Sequence, residues 1–209
     1  MNPFKQVVTT EGEIRELIGF PSEVVQKKTI HELDSHCRAF IAMSPLLFMA
    51  TSDAQGNCDV SPRGDAPGFV YILDNDHMVI PERPGNRRID SLRNILSNPR
   101  VGLIFLIPGL EETLRVNGEA YVIKDDELLE QMKVNDKKPL LGIGVRVNEA
   151  YIHCAKSFKR SGAWNKDSWS DQGRLPSIPH MISAHVNSEP FTVEKIRDGL
   201  KESYEKRMY

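Results

Sequence analysis

The sequence predicts a mainly β protein, an antiparallel barrel with helices at its periphery. Three observations carry this. Between about residues 40 and 155, short apolar or alternating runs are separated by turn-rich segments. An amphipathic helical stretch at 86–97 interrupts those runs. After residue 156 the character changes to polar and aromatic loop residues, then two helical patterns punctuated by Pro176, Pro179 and Pro190.

Taken in order, residues 11–43 read as helical. Ile30, Leu33, Cys37, Phe40 and Ile41 fall at helical spacings behind Thr29, the expected N-cap, and Pro45 ends the helix. Leu46 to Ser52 is a short apolar strand, and Asp53-Ala-Gln-Gly-Asn57 turns it into a return strand from Cys58 to Arg63. Phe69 to Leu73 and Met78 to Pro81 flank Asp74-Asn-Asp-His77 as a second hairpin. The helix of 86–97 takes Asn86 as N-cap and places Ile89, Leu92, Ile95 and Leu96 on one face. Asn98-Pro99 stops it. Val101 to Ile107 is continuously apolar, so a strand buried on both faces is expected, paired with Leu114 to Ile123 across Pro108-Gly109. Asp125 caps a short helix reaching Lys133, and Gly142 to Ala155 forms one long strand. Helices over 178–186 and 192–206 complete the chain. The middle is thus a six- or seven-stranded antiparallel meander interrupted by one helix, the pattern of a small barrel. The expected organisation is a single domain over 1–209, with a core of about 40–155 and a helical extension of about 156–209.

Composition narrows the function. With 209 residues, 40% hydrophobic and 27% charged, the chain can bury about 70% of its unfolded surface without disulfides. A formal net charge of −2 argues against a dedicated nucleic-acid binder. Cys37, Cys58 and Cys154 are an odd count without CxxC spacing, neither a disulfide framework nor a zinc ribbon. The amino-terminal stretch lacks a signal-peptide apolar core, and no apolar run reaches transmembrane length. A cytoplasmic location, no nucleic acid and no membrane are the expectations.

Three motifs carry candidate chemistry. Arg87 and Arg88 sit where the 86–97 helix should begin, the wrong sign for an end bearing roughly half a positive charge and four unpaired N–H groups. A docked phosphate would satisfy both. Taken alone, solvated arginines paired with Asp90 or Glu82 are the favoured reading. The second motif is Ser61-Pro-Arg-Gly-Asp65. Gly64 permits close backbone approach, Arg63 can fork onto an anion, and Ser61 and Asp65 can bond a sugar or ring edge. A tight turn with an Arg63–Asp65 pair is the competing reading. The third runs from Tyr151 to Trp164. Lys156 and Arg160 share a helix face and suit an anion, while Trp164 either stacks on a flat ring or anchors the core.

Other chemistries lack their residues. There is no dinucleotide GxGxxG, no Walker Gly-Lys-Ser/Thr and no Gly-x-Ser-x-Gly elbow. His180 and His185 are five apart, about 140° round a helix, so they do not share a metal, and no metal site is expected.

Together these segments resemble a known family. Ser61-Pro-Arg-Gly-Asp65, Pro84-Gly-Asn-Arg-Arg88, Asn98-Pro-Arg-Val-Gly-Leu-Ile-Phe105 and Leu114-Arg-Val-Asn-Gly-Glu-Ala120, in this order, are similar to the pyridoxamine 5′-phosphate oxidase-like flavoproteins, over about residues 40–125. The stretch His153 to Lys156 and Arg160 to Trp164 resembles a bacterial subgroup of FMN-dependent enzymes without an assigned substrate. The resemblance implies an FMN-binding split β-barrel, a homodimer, and FMN in the cleft between subunits. It implies that Asn86, Arg87 and Arg88 hold the FMN phosphate and that strand 60–65 runs along the flavin. Pro81 and Glu82 would lie near the ribityl chain, and Thr113 where the family often has a ring-contacting Gln. Arg63, or Lys156 and Arg160, would place positive charge near the flavin's N1–C2 edge, and Trp164 would stack on the ring or wall the substrate pocket. The oxidase proper ends near Arg-Leu-x-Pro, whereas this chain ends Lys-Glu-Ser-Tyr-Glu-Lys-Arg-Met-Tyr, so oxidation of vitamin B6 is not expected. The expected function is an FMN-dependent oxidoreductase acting on a small molecule. A non-catalytic flavin- or haem-binding or sensing protein is the alternative, and a deazaflavin in place of FMN a third.

Overall fold

A computed structural model describes residues 3–209. Met1 and Asn2, the start of the amino-terminal stretch read above, lie outside the described residues. The helical region expected over 11–43 is broken into α1 (Glu11–Ile18), α2 (Glu23–Lys27) and α3 (Ser35–Met43). Gly19, at φ 73°, ends α1. Asp34, not Thr29, caps α3 by accepting from the Cys37 N–H at 2.8 Å. Ile30 is held extended by bridging to Ala150, so the helix cannot extend back to Thr29.

The strands are β1 (Leu46–Ser52), β2 (Cys58–Gly64), β3 (Tyr71–Ile72) and β4 (His77–Pro81). After α4 (Asp90–Ser97) come β5 (Arg100–Leu106), β6 (Thr113–Ile123), α5 (Asp126–Glu130) and β7 (Gly142–His153). They form one seven-stranded antiparallel sheet in the order β2-β1-β5-β6-β7-β4-β3. This is not the expected meander, because β1 pairs with β5 and β4 with β7. α4 is the cause: it buries Ser91, Leu92 and Ile95 and carries the chain across between β4 and β5. Seven strands with peripheral helices make the mainly β barrel that the sequence predicts.

Alternation sets the two faces of the sheet. Leu47, Met49, Leu103, Phe105, Leu114 and Val116 point inward and are almost wholly buried. β5 has only one buried face, contrary to its continuous apolar sequence, since Gly102 and Ile104 face outward. Phe48, Ile104, Arg115 and Tyr151 lie opposite one another in register across β1, β5, β6 and β7 on that outer face. β6 carries an irregularity at Asn117/Gly118, where a Cβ on Gly118 would sit 2.2 Å from the Arg146 carbonyl oxygen.

Beyond the sheet lie α6 (Lys156–Ser161), α7 (Ile178–Val186) and α8 (Val193–Lys206), close to the expected extension. Thr192 caps α8 through the Lys195 N–H. No helix among the described residues is long and apolar enough to cross a membrane.

Candidate functional site

The inward side chains of β2 and its exit are Asp59, Ser61, Arg63 and Asp65, at the period of a strand. Each meets the segment 82–91. The Ser91 hydroxyl donates to Asp59 at 2.8 Å, as does that of Ser61, and the two hydroxyls are 3.1 Å apart. Arg63 pairs with Glu82. Asp65, with its side chain 2% exposed, accepts from Arg83 at 2.6 Å and from the Tyr209 hydroxyl at 2.8 Å. The local Arg63–Asp65 pair does not form, because each residue has a partner across the gap.

These contacts shift protonation. Burial pushes the Glu82 carboxyl up, and Arg63 opposes it. Burial acts upward on Asp65 too, but the Tyr209 hydroxyl, the Ala66 N–H and Arg83 outweigh it and hold this carboxyl below its ordinary range. Gly64 brings backbone close to the preceding turn, since a Cβ there would meet the Pro45 oxygen at 3.2 Å. Pro81 is buried at the end of β4, opposite Gly142.

The arginine pair sits differently from the expectation. α4 starts at Asp90, so Asn86, Arg87 and Arg88 belong to an exposed loop before the helix. Asn86 is no N-cap. Its Oδ1 accepts from the Arg88 N–H at 3.0 Å, an Asx turn. The N-cap is Ile89, in the left-handed region at φ 55°, without a side-chain cap bond. Arg87 is left-handed as well, at φ 62°. Two left-handed residues thus flank Arg88, whose own N–H is taken by Asn86. Left-handed backbone at a β-branched residue is costly, and such strain concentrates at functional sites. The Arg88 Nε donates to Asp90 at 2.8 Å, and that bond and charge hold its ionisation up. The Arg87 side chain makes no hydrogen bond or ion pair among the described residues.

A second group forms around α6. Trp164 stacks on Phe158, with centroids 5.5 Å apart at 18°, and its Nε1 donates to the Leu110 carbonyl at 2.9 Å. Lys159 pairs with Glu111 at 2.6 Å. A cavity of about 450 Å³ lies between Gly109, Glu111, Lys159, Gly162, Trp164 and Asn165. Lys156 and Arg160 project from α6 into solvent, and Thr113 is buried at the start of β6 opposite His153. Gly64 pairs with Leu46 and Leu46 with Leu106, so β2 ends at the same end of the sheet where β6 begins. No hydrogen bond or ion pair joins the two groups among the described residues.

The sequence reading missed Asp59, Arg83, Ser91, Arg115 and Tyr209. Asp59 was open to discovery, two residues before Ser61 on one strand face, and Ser91 interrupts an otherwise apolar helix side. Tyr209, 144 residues from Asp65, gave no signal. Arg115 lies on the outer sheet face with its guanidinium 5.4 Å from the Tyr151 ring and its Nε buried without a hydrogen-bond partner among the described residues. Burial, then the charges of Arg115 and Lys28, lower the pKa of His153.

Comparison with solved structures finds HupZ from Group A Streptococcus at 19% identity and TM-score 0.46, covering 57% of this chain and 92% of that one. General Stress Protein 26 from Bacillus anthracis matches at 14% identity and TM-score 0.42, covering 56% and 93%. HutZ, the heme storage protein from Vibrio cholerae, matches at 17% identity and TM-score 0.39, covering 57% and 94%. No curated protein sequence matches the chain significantly. The family model described as pyridoxamine 5′-phosphate oxidase matches residues 33–154, which include every strand, the Arg63–Glu82 pair and the arginine loop. With more than half of its length matched, the chain belongs to the pyridoxamine 5′-phosphate oxidase family.

Proposed function

We propose that the protein is a homodimeric FMN-dependent oxidoreductase acting on a small molecule. The observation that carries this reading is the left-handed backbone at Arg87 and Ile89, beside two arginines and an uncapped helix start. That loop suits a phosphate: Arg87 is exposed and makes no hydrogen bond or ion pair among the described residues, and Arg88, paired with Asp90, stands beside it at the start of α4. Asn86 holds the turn by its Asx bond. When bound, FMN supplies hydride or electron transfer at its N5. The Arg63–Glu82 and Asp65–Arg83 pairs pin the 82–91 segment to β2, so the loop is preorganised before any ligand arrives. Arg63 is neutralised by Glu82. Positive charge for the flavin's pyrimidine edge therefore falls to Lys156 and Arg160, which are exposed and make no ion pair among the described residues. The cavity beside Trp164 is of a size suited to a small substrate. For the dimer, Phe48, Val60 and Ile104 expose 37%, 63% and 37% of themselves on the outer sheet face, an apolar surface for a partner barrel with FMN in the cleft between them.

The test is the mass and visible spectrum of the molecule that copurifies, followed by anaerobic titration with NAD(P)H. An FMN mass with flavin bands that bleach supports the reading. A Soret band, a deazaflavin mass, or a flavin that no pyridine nucleotide reduces overturns it in favour of a haem protein, a deazaflavin enzyme or a flavin-binding sensor.

A further inference from the structure

We propose that the two terminal arms of the chain, residues 3–27 and 169–208, are shaped to pack on a second copy of this chain. The proposal rests on the dimer reading above and extends it to segments outside the family-matched region.

The first observation is surface. The chain exposes 14,686 Å² at a mass of 23.7 kDa, whereas a folded monomer of that mass exposes roughly 9,800 Å². α1, α2, α7 and α8 contain no buried residue. α1 presents Ile14, Leu17 and Ile18 at helical spacing, 44%, 77% and 73% exposed. α8 leans its half-buried stripe of Val193, Ile196 and Leu200 on α7, while Ile178 and Met181 on α7 stay open at 52% and 45%.

These are built helices, not frayed ends. Thr10 and Glu13 form a complete capping box on α1. An eight-residue helix is nonetheless unstable in water without tertiary packing, and α1 buries none of its residues in the protomer as described. Both arms are also anchored. The Lys28 Nζ donates to the Ile152 carbonyl at 2.6 Å at the root of the first. Tyr209, at the end of the second, holds Asp65 and accepts from Lys137 at 2.7 Å.

The geometry selects a second copy as the occupant. Lys28 stands 5.8 Å from the ring of Tyr151, which shares its cross-strand row with Arg115, Ile104 and Phe48. The first arm therefore leaves the molecule at the margin of the outer sheet face proposed for the dimer. A two-fold axis brings the same surfaces of each protomer together, so the first arm and the sheet face it leaves from meet their copies by one operation. The excess of roughly 4,900 Å² per protomer is enough to supply the area that obligate homodimers bury.

The experiment uses the full chain, with light scattering on dilution for wild type, L17D/I18D, M181D and F48D/V60D. The wild type is expected to be dimeric. L17D/I18D should weaken the dimer about 100-fold, as expected from uncovering aliphatic side chains, with unchanged far-UV circular dichroism. Because an aspartate on the helix can unfold it, hydrogen exchange in wild-type α1 is measured too, and protection there should rise with protein concentration. Arm variants that dimerise like wild type, or α1 protection independent of concentration, overturn the proposal. If F48D/V60D alone dissociates, the dimer reading stands without the arms. A wild type that stays monomeric overturns both.

Discussion

The Arg63 guanidinium and the Glu82 carboxylate close on one another across the gap between β2 and the exit of β4, with side chains 15% and 24% exposed. Burial of such a pair costs solvation for both ions, and removal of one partner strands the other. Glu82→Gln is expected to lower stability by about 3 kcal/mol, whereas Arg63→Leu/Glu82→Leu should recover most of that loss. Urea unfolding of the single and double variants measures this. FMN binding that survives in the double variant would assign Arg63 to the pair and not to the ligand.

Asp65 links the pH dependence of folding to the end of the chain. Its carboxyl lies below the ordinary aspartate range, so it favours the folded state above that range, and the contribution fades as pH falls through its folded value. Wild type should therefore exceed Asp65→Asn by a constant margin in Tm above about pH 5, and the margin should shrink as pH falls below the ordinary aspartate range and vanish below the folded value. An equal margin at all pH values would mean that packing, not ionisation, is what Asp65 supplies.

Ser91 is 2% exposed and donates to Asp59 while touching Ser61. Ser91→Ala should cost about 2 kcal/mol, a fall in Tm of roughly 6 °C, because a charged acceptor loses one of its two donors. Differential scanning calorimetry reads this directly.

Legibility differed between strands and sheet order for a physical reason. The alternation of Leu47, Met49 and Thr51 and the Asp53–Asn57 turn are local, and they placed β1 and β2 correctly. The partner of β1 is β5, which depends on α4 filling the core, and no local pattern encodes that. The start of α4 was misplaced because Asn86 is the conventional cap, while Ile89 adopts a left-handed conformation that its residue type disfavours. At the candidate site, Ser61, Arg63 and Asp65 were legible as one strand face. Their partners Glu82, Arg83, Ser91 and Tyr209 lie on other segments of the chain, so the contacts that hold this strand face could not be read from the strand itself.

Trp164 holds α6 to the β5–β6 turn through Phe158 and the Leu110 carbonyl. Because α6 buries nothing else, Trp164→Ala should leave the global Tm nearly unchanged while loosening the segment locally. Limited trypsin cleavage at Lys166 and Arg174 should accelerate about tenfold. Trp164→Phe keeps the stack and should show a smaller effect.

The central claim is that the Arg87–Ile89 loop holds a phosphate. It is tested most directly by comparing FMN with riboflavin on wild type and Arg87→Ala/Arg88→Ala by fluorescence titration. Wild type should bind FMN at least about 100-fold more tightly than riboflavin, and the double variant should lose most of that preference while retaining riboflavin affinity. Equal binding of the two flavins by wild type, or an undiminished preference in the variant, would contradict the account.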